Sequence, residues 1–135
     1  MSRFPSAKHL ASWAGVCPGN HQSAGKRLSG KSTPGNKWLG AILGEVVCAI
    51  AHTKDNYLSA QLHRLTRRIG KYKAHVAVAH SVLTVIYHML RDGRDYCDLG
   101  SDYFDEINKA RIERQHIRRL EQLGYTVTLT PQQAA

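Results

Sequence analysis

The sequence predicts a mostly α domain: a compact bundle of about five helices, with a long basic glycine-rich loop and one short C-terminal strand or extended tail. Three observations predict it. Apolar residues recur at three- and four-residue steps through most of the chain after Asn36. Glycines and prolines are concentrated between Trp13 and Lys37, where five Gly and two Pro rule out a long helix or strand. The length, 135 residues with 42% hydrophobic content, suits one domain with a modest core.

Each element follows from local signals. Ser6 to Ala14 reads as a short helix capped by Ser6, with Leu10, Trp13 and Ala14 facing a core. The basic loop comes next. A helix from about Asn36 to His52 carries Trp38, Leu39, Ile42, Leu43, Val46, Val47 and Ile50 as one broad apolar stripe. A third helix, about Asn56 to Ile69, has the seam Leu58, Leu62, Leu65 and Ile69, and Gly70 stops it. The fourth, about Lys73 to Arg91, is apolar on nearly every side and is expected at the centre of the fold. Tyr96 to Gly100 reads as a loop. Ser101 is expected to cap a last helix from Asp102 to about Leu123, closed by Gly124. Tyr125, Val127 and Leu129 alternate with threonines as a short strand or an extended tail. Residues 1–130 are read as one domain and 131–135 as its tail.

Composition restricts the function classes. The net charge is +9 and the basic residues are spread through loops and helices, which favours a polyanionic partner. Cys17, Cys48 and Cys97 are widely spaced, with no Cys-x-x-Cys, so neither a zinc module nor a disulfide framework is suggested, and a reducing cytoplasm fits. No apolar signal core follows Met1, and the run Val76 to Leu90 is interrupted by His80, Ser81 and His88, too short and polar to span a bilayer. His75, His80 and His88 share one helix and are read as packing or hydrogen-bonding groups, and no metal site is expected in this chain. Asp92, Asp95, Asp98, Asp102, Asp105 and Glu106 crowd a loop and a helix start, where they read as capping and solubilising residues.

The loop between Trp13 and Lys37 is the candidate site. Its charges are Lys26, Arg27, Lys31 and Lys37, and the first acidic residue of the chain is Glu45. Glycines let backbone N–H groups approach an anion and lysines add point charge, so phosphate is the natural guest. The following helix would point its N-terminal N–H groups into the loop. Ser23, in Ser-Ala-Gly-Lys-Arg, sets a hydroxyl beside a flexible backbone and two cations, a reasonable place for a nucleophile aimed at phosphorus. A second basic run, Arg64, Arg67, Arg68, Lys71 and Lys73, reads as a contact surface for a nucleic-acid backbone. A basic, disordered surface loop and a solvated helix face are the plainer readings of the same residues.

These residues resemble a known family. The blocks are His9-Leu10-Ala11-Ser12-Trp13-Ala14-Gly15-Val16-Cys17-Pro18-Gly19-Asn20, Ser23-Ala24-Gly25-Lys26-Arg27 and Pro34-Gly35-Asn36-Lys37-Trp38-Leu39. They are followed by Arg68-Ile69-Gly70, Lys73 to His80, Ile86 to Leu90 and Tyr103-Phe104. In this order they are similar to the C-terminal transposase domain of the DEDD-type insertion-sequence transposases, relatives of the Piv and MooV DNA invertases. The resemblance implies DNA transposition through a covalent protein–DNA linkage. It implies a serine nucleophile, which maps onto Ser23 with Ser29 and Ser32 as less suited alternatives. It further implies DNA, in some members a structured guide RNA, and other subunits (copies of the chain or full-length transposase) as partners in the bacterial cytoplasm at the nucleoid. Mg²⁺ is expected only in a RuvC-like domain, which is absent before Met1, so the resemblance reads the chain as truncated or split and inactive alone. Two positions depart from the family pattern: Pro34 stands where a Lys is usual and Gly40 where an Arg is usual. A basic module that binds DNA or RNA without chemistry, interfering with full-length transposase, is the alternative reading, and a relic without function a third.

Overall fold

The computed structural model describes residues 3–19 and 21–130, and the side chain of Arg27 is outside the description. Among the described residues the order is α1 (Ala7–Trp13), β1 (His21–Ser23), β2 (Lys26–Ser29), α2 (Lys37–His52), α3 (Tyr57–Ile69), α4 (Lys71–Asp92), α5 (Tyr103–Ile107) and α6 (Lys109–Gln122). By packing the chain divides into two units, Met1–Ser101 and Asp102–Ala135. None of the described helices is long and apolar enough to cross a membrane.

In the first unit α4 is the axis, as its all-round apolar pattern predicts. Ala74, Val78, Ala79, Val82, Leu83 and Tyr87 of α4 are buried, and α1, α2 and α3 all pack against it. Leu10 and Ala11 from α1, Ala14 and Val16 just after it, Leu43 and Val47 from α2, and Leu62 from α3 complete the core. Tyr87 is only 2% exposed, and its hydroxyl donates to the carbonyl oxygen of Phe4 at 2.9 Å, which anchors the N-terminal segment. Trp13, expected in the core, is 51% exposed and instead stacks at a tilt on Phe4. The stripe on α2 is buried along one row only, because the contacts with α3 and α4 reach Leu43 and Val47 but leave Trp38 (83% exposed) and Ile42 in solvent.

Side chains and glycines set the helix ends. The Asn36 side chain accepts the N–H of Leu39, and that of Asn56 accepts the N–H of Ser59. α1 ends in a Schellman motif: Val16 N–H bonds Ala11 C=O, Gly15 N–H bonds Ser12 C=O, and Gly15 has φ +77°. Ser6 precedes α1 as expected, but its hydroxyl bonds His9 Nδ1 rather than a backbone N–H. A single residue, Gly70 with φ +84°, joins α3 to α4, so α4 starts at Lys71, earlier than its apolar pattern. The loop after α4 is tied back to the bundle by Asp98. Its carboxylate accepts the N–H of Tyr57, the first residue of α3, the N–H of Gly100 and the hydroxyl of Tyr96. Burial raises the Asp98 carboxyl, but these hydrogen bonds outweigh it and hold the group below its ordinary value.

In the second unit the expected continuous helix is two helices. Asn108 separates α5 from α6, and its side-chain NH₂ takes the carbonyl oxygen of Phe104, a local bond that competes with the helical ladder. Asp102, not Ser101, occupies the N-cap position of α5. Gly124, φ +89°, closes α6, with Tyr125 N–H bonded to Leu120 C=O. Residues 125–130 form no strand, because an isolated alternating segment has no ladder to join. Residues 131–135, read from the sequence as the tail, lie outside the described residues.

Candidate nucleic-acid interface

The glycine-rich segment is a built structure rather than a slack loop. Its centre is a short antiparallel hairpin in which Ser23 pairs with Lys26, Gln22 with Arg27 and His21 with Ser29. The two turn residues, Ala24 (φ +48°) and Gly25 (φ +76°), are both left-handed, the geometry of a type I′ turn that matches strand twist. An alanine in that region is uncommon and strained. The two arms leading to the hairpin lie backbone against backbone. A Cβ on Gly15 would stand 2.7 Å from Thr33 O, one on Gly35 would stand 2.6 Å from Gly15 N, and one on Gly19 would overlap Lys31 O. Gly19 N–H also donates to Gly30 C=O at 3.3 Å. Three of the five glycines therefore serve close chain contact, where the sequence alone suggested close approach to a phosphate.

This stalk carries Ser23 to an exposed position beside the turn. Residues directly opposite in such a pair have Cβ atoms about 5 Å apart on one face, so the Ser23 hydroxyl and the Lys26 ammonium share a face. Arg27 lies in β2 with its backbone opposite Gln22, and its side chain is outside the described structure. Lys37 is the first residue of α2 and is exposed. One of the α2 N–H groups expected to face an anion, that of Leu39, is taken by Asn36.

The other predicted cations gather elsewhere in the same unit. Arg67 and Arg68 end α3 and Lys71 opens α4, all exposed around the Gly70 corner, and Arg64 is exposed one turn earlier on α3. Lys31 and Lys73 line one open groove of about 980 Å³, together with Ser29 and Ser32. The apolar part of that groove includes Leu28, Ile69, Tyr72 and Val76, which the reading of charges alone did not select. Its signal in the sequence was Lys71-Tyr72-Lys73, an aromatic ring between two cations. Ser23 is not among the groove's lining residues, so hairpin tip and groove are separate features. Among the described residues no three His, Cys, Asp or Glu side chains gather as a metal site.

No curated protein and no solved structure matches the chain. Residues 1–64 do match a family model, and they contain α1, the whole glycine stalk with Ser23 and Lys26, α2 and the start of α3. Over those residues the chain is similar to the transposases of the IS116/IS110/IS902 family.

Proposed function

We propose that this chain is the DNA-binding, serine-bearing part of a DNA transposase, with Ser23 as the nucleophile. The observation that carries the reading is the coincidence of the family match with the hairpin: residues 1–64 hold an exposed serine at a tight turn, on one face with Lys26. In the step we assign to it, Ser23 Oγ forms a bond to a DNA phosphorus while the bond from that phosphorus to one sugar oxygen breaks. The hydroxyl proton leaves through solvent and the released sugar oxygen takes one up, so atoms and charge balance. Lys26 neutralises charge developing on the phosphoryl oxygens, which lowers the barrier more than it stabilises the ground state. A serine hydroxyl needs such electrostatic activation to attack phosphorus. DNA is the substrate, with copies of the chain or of full-length transposase as partners and, as in some such elements, a structured guide RNA. The exposed cations Arg67, Arg68 and Lys71 contact the phosphate backbone away from Ser23.

Covalent trapping tests this. The chain is mixed with labelled element-end DNA, Mg²⁺ and a separately expressed RuvC-like domain of a relative, beside Ser23→Ala, on a denaturing gel. A protein–DNA adduct that disappears in Ser23→Ala is the expected result. Salt-sensitive binding without an adduct, where an intact relative forms one under the same conditions, would instead identify a non-catalytic binding module.

A further inference from the structure

We infer that the groove between the 28–32 segment and α4 is a stacking site for unpaired bases of single-stranded DNA, with Tyr72 as the platform. One wall is α4, where Tyr72, Val76 and His80 follow each other at four-residue steps and so lie along one face. The opposite wall is Leu28 to Ser32. That wall is fixed before any ligand arrives. Ser29 Oγ accepts the N–H of Lys31 at 3.1 Å, and Gly19 sits against the Lys31 backbone too closely for any side chain.

The chemistry of the lining selects the guest. Tyr72 is 89% exposed and Leu28 61%, with Val76 and Ile69 also open to water, so folding leaves this apolar surface uncovered. The charged residues of the lining are Lys31 and Lys73; the remaining polar groups are hydroxyls, an imidazole and backbone, and no carboxylate is present. A purely apolar partner would leave two ammonium groups poorly solvated, and a simple anion would leave the ring and the aliphatic wall in water. A planar aromatic group attached to phosphate satisfies both. Nucleotides have that form, and bases stacked on aromatic side chains beside cations are how single strands are held without sequence preference. Duplex DNA hides its base faces, so it engages the cations at the Gly70 corner and gains nothing from Tyr72. The inference rests on the DNA-binding reading above and adds to it a second, strand-specific contact made by residues other than Ser23.

Fluorescence anisotropy of the full chain with labelled oligo(dT), a labelled duplex of equal length and labelled oligo(U) decides it. Tyr72→Ala is expected to weaken oligo(dT) binding by about tenfold or more and duplex binding by less than about twofold, since only an exposed ring is removed. Tyr72→Phe restores oligo(dT) binding because the ring face remains. Circular dichroism of both variants matching the parent chain assigns the loss to the groove. Equal losses on oligo(dT) and duplex, no loss on either, or failure of Tyr72→Phe to rescue would overturn the inference, as would oligo(U) binding tighter than oligo(dT). These outcomes are separable from failure of the parent reading. Ser23→Ala leaves oligo(dT) binding unchanged while abolishing the adduct, whereas a chain that binds neither form of DNA removes both proposals.

Discussion

A methyl group at Gly35 would overlap the carbonyl of Ala14 and stand 2.6 Å from Gly15 N, on a backbone with φ +61°. The same substitution at Gly40, inside α2, meets nothing within 4 Å on ordinary helical backbone. Opposite outcomes follow. Gly35→Ala should destabilise by at least about 2 kcal/mol, from left-handed strain plus backbone overlap. Gly40→Ala should stabilise by about 1 kcal/mol, the helix-interior cost of glycine. Urea denaturation of both variants checks the pair, and equal midpoints would mean that the two arms of the stalk are not in contact. The sequence made the glycines conspicuous without giving their use. A Gly-rich run is equally compatible with a phosphate cradle and with two strands pressed together. Only the partner across the chain separates these, and that partner, Thr33 for Gly15 or Lys31 for Gly19, is set by where the chain turns. The hairpin itself was not read from the sequence, because Ala24-Gly25 lacks the Asn-Gly or Asp-Gly signal of a two-residue turn and the whole segment read as loop.

At the scale of elements, the ends of α2, α3 and α6 were readable because their caps are local: Asn36, Asn56 and Gly124 act within a turn of their own helix. The start of α3 has a second tie that no local rule contains, the Asp98 carboxylate arriving from the loop after α4. The split of the last helix at Asn108 was hidden for a related reason, since an asparagine inside a polar helical pattern shows no sign of which carbonyl it will take. The Asp98 tie predicts a pH dependence. Its folded pKa lies below the ordinary 3.8, so its stabilisation is present above about pH 4 and is lost as pH falls through the folded value. Tyr96 has the opposite sign. Burial, and then its hydrogen bond to Asp98, push its hydroxyl up to about 12. Its contribution is therefore full below pH 10 and is lost as pH rises from 10 towards 12. Asp98→Asn should flatten the acid limb and reduce the alkaline one, leaving a lower plateau between. Denaturation midpoints taken across pH 3 to 11 measure this, and unchanged acid and alkaline limbs in the variant would show that the loop is not held by this carboxylate.

At the scale of the whole chain, charge is not shared between the two units. Residues 1–101 contain fourteen Lys or Arg and five Asp or Glu, whereas 102–135 contain five of each, so the entire +9 belongs to the first unit. The buried core belongs there too, from Leu10 to Tyr87, while α5 and α6 bury no residue. Along α6 the basic run Lys109, Arg111, Arg114, Arg118 and Arg119 looks like a nucleic-acid surface in isolation, yet the acids of its own unit cancel it. Affinity for a polyanion scales with the phosphates neutralised, and the slope of log K against log salt counts them at about 0.9 each for duplex DNA. A chain ending at Ser101 should therefore keep the duplex affinity and the salt slope of the full chain. Arg67→Ala or Lys71→Ala in either length should lower the slope by about one phosphate contact. Anisotropy titrations over a range of salt concentrations measure all of these. A slope that falls on removal of 102–135 would mean that α6 presents its cations to DNA and its acids elsewhere, and that net charge per unit misstates the field the DNA meets. An unchanged slope would place the whole electrostatic footprint on the stalk and the α3–α4 corner, and the polyanion reading of the composition would then belong to residues 1–101.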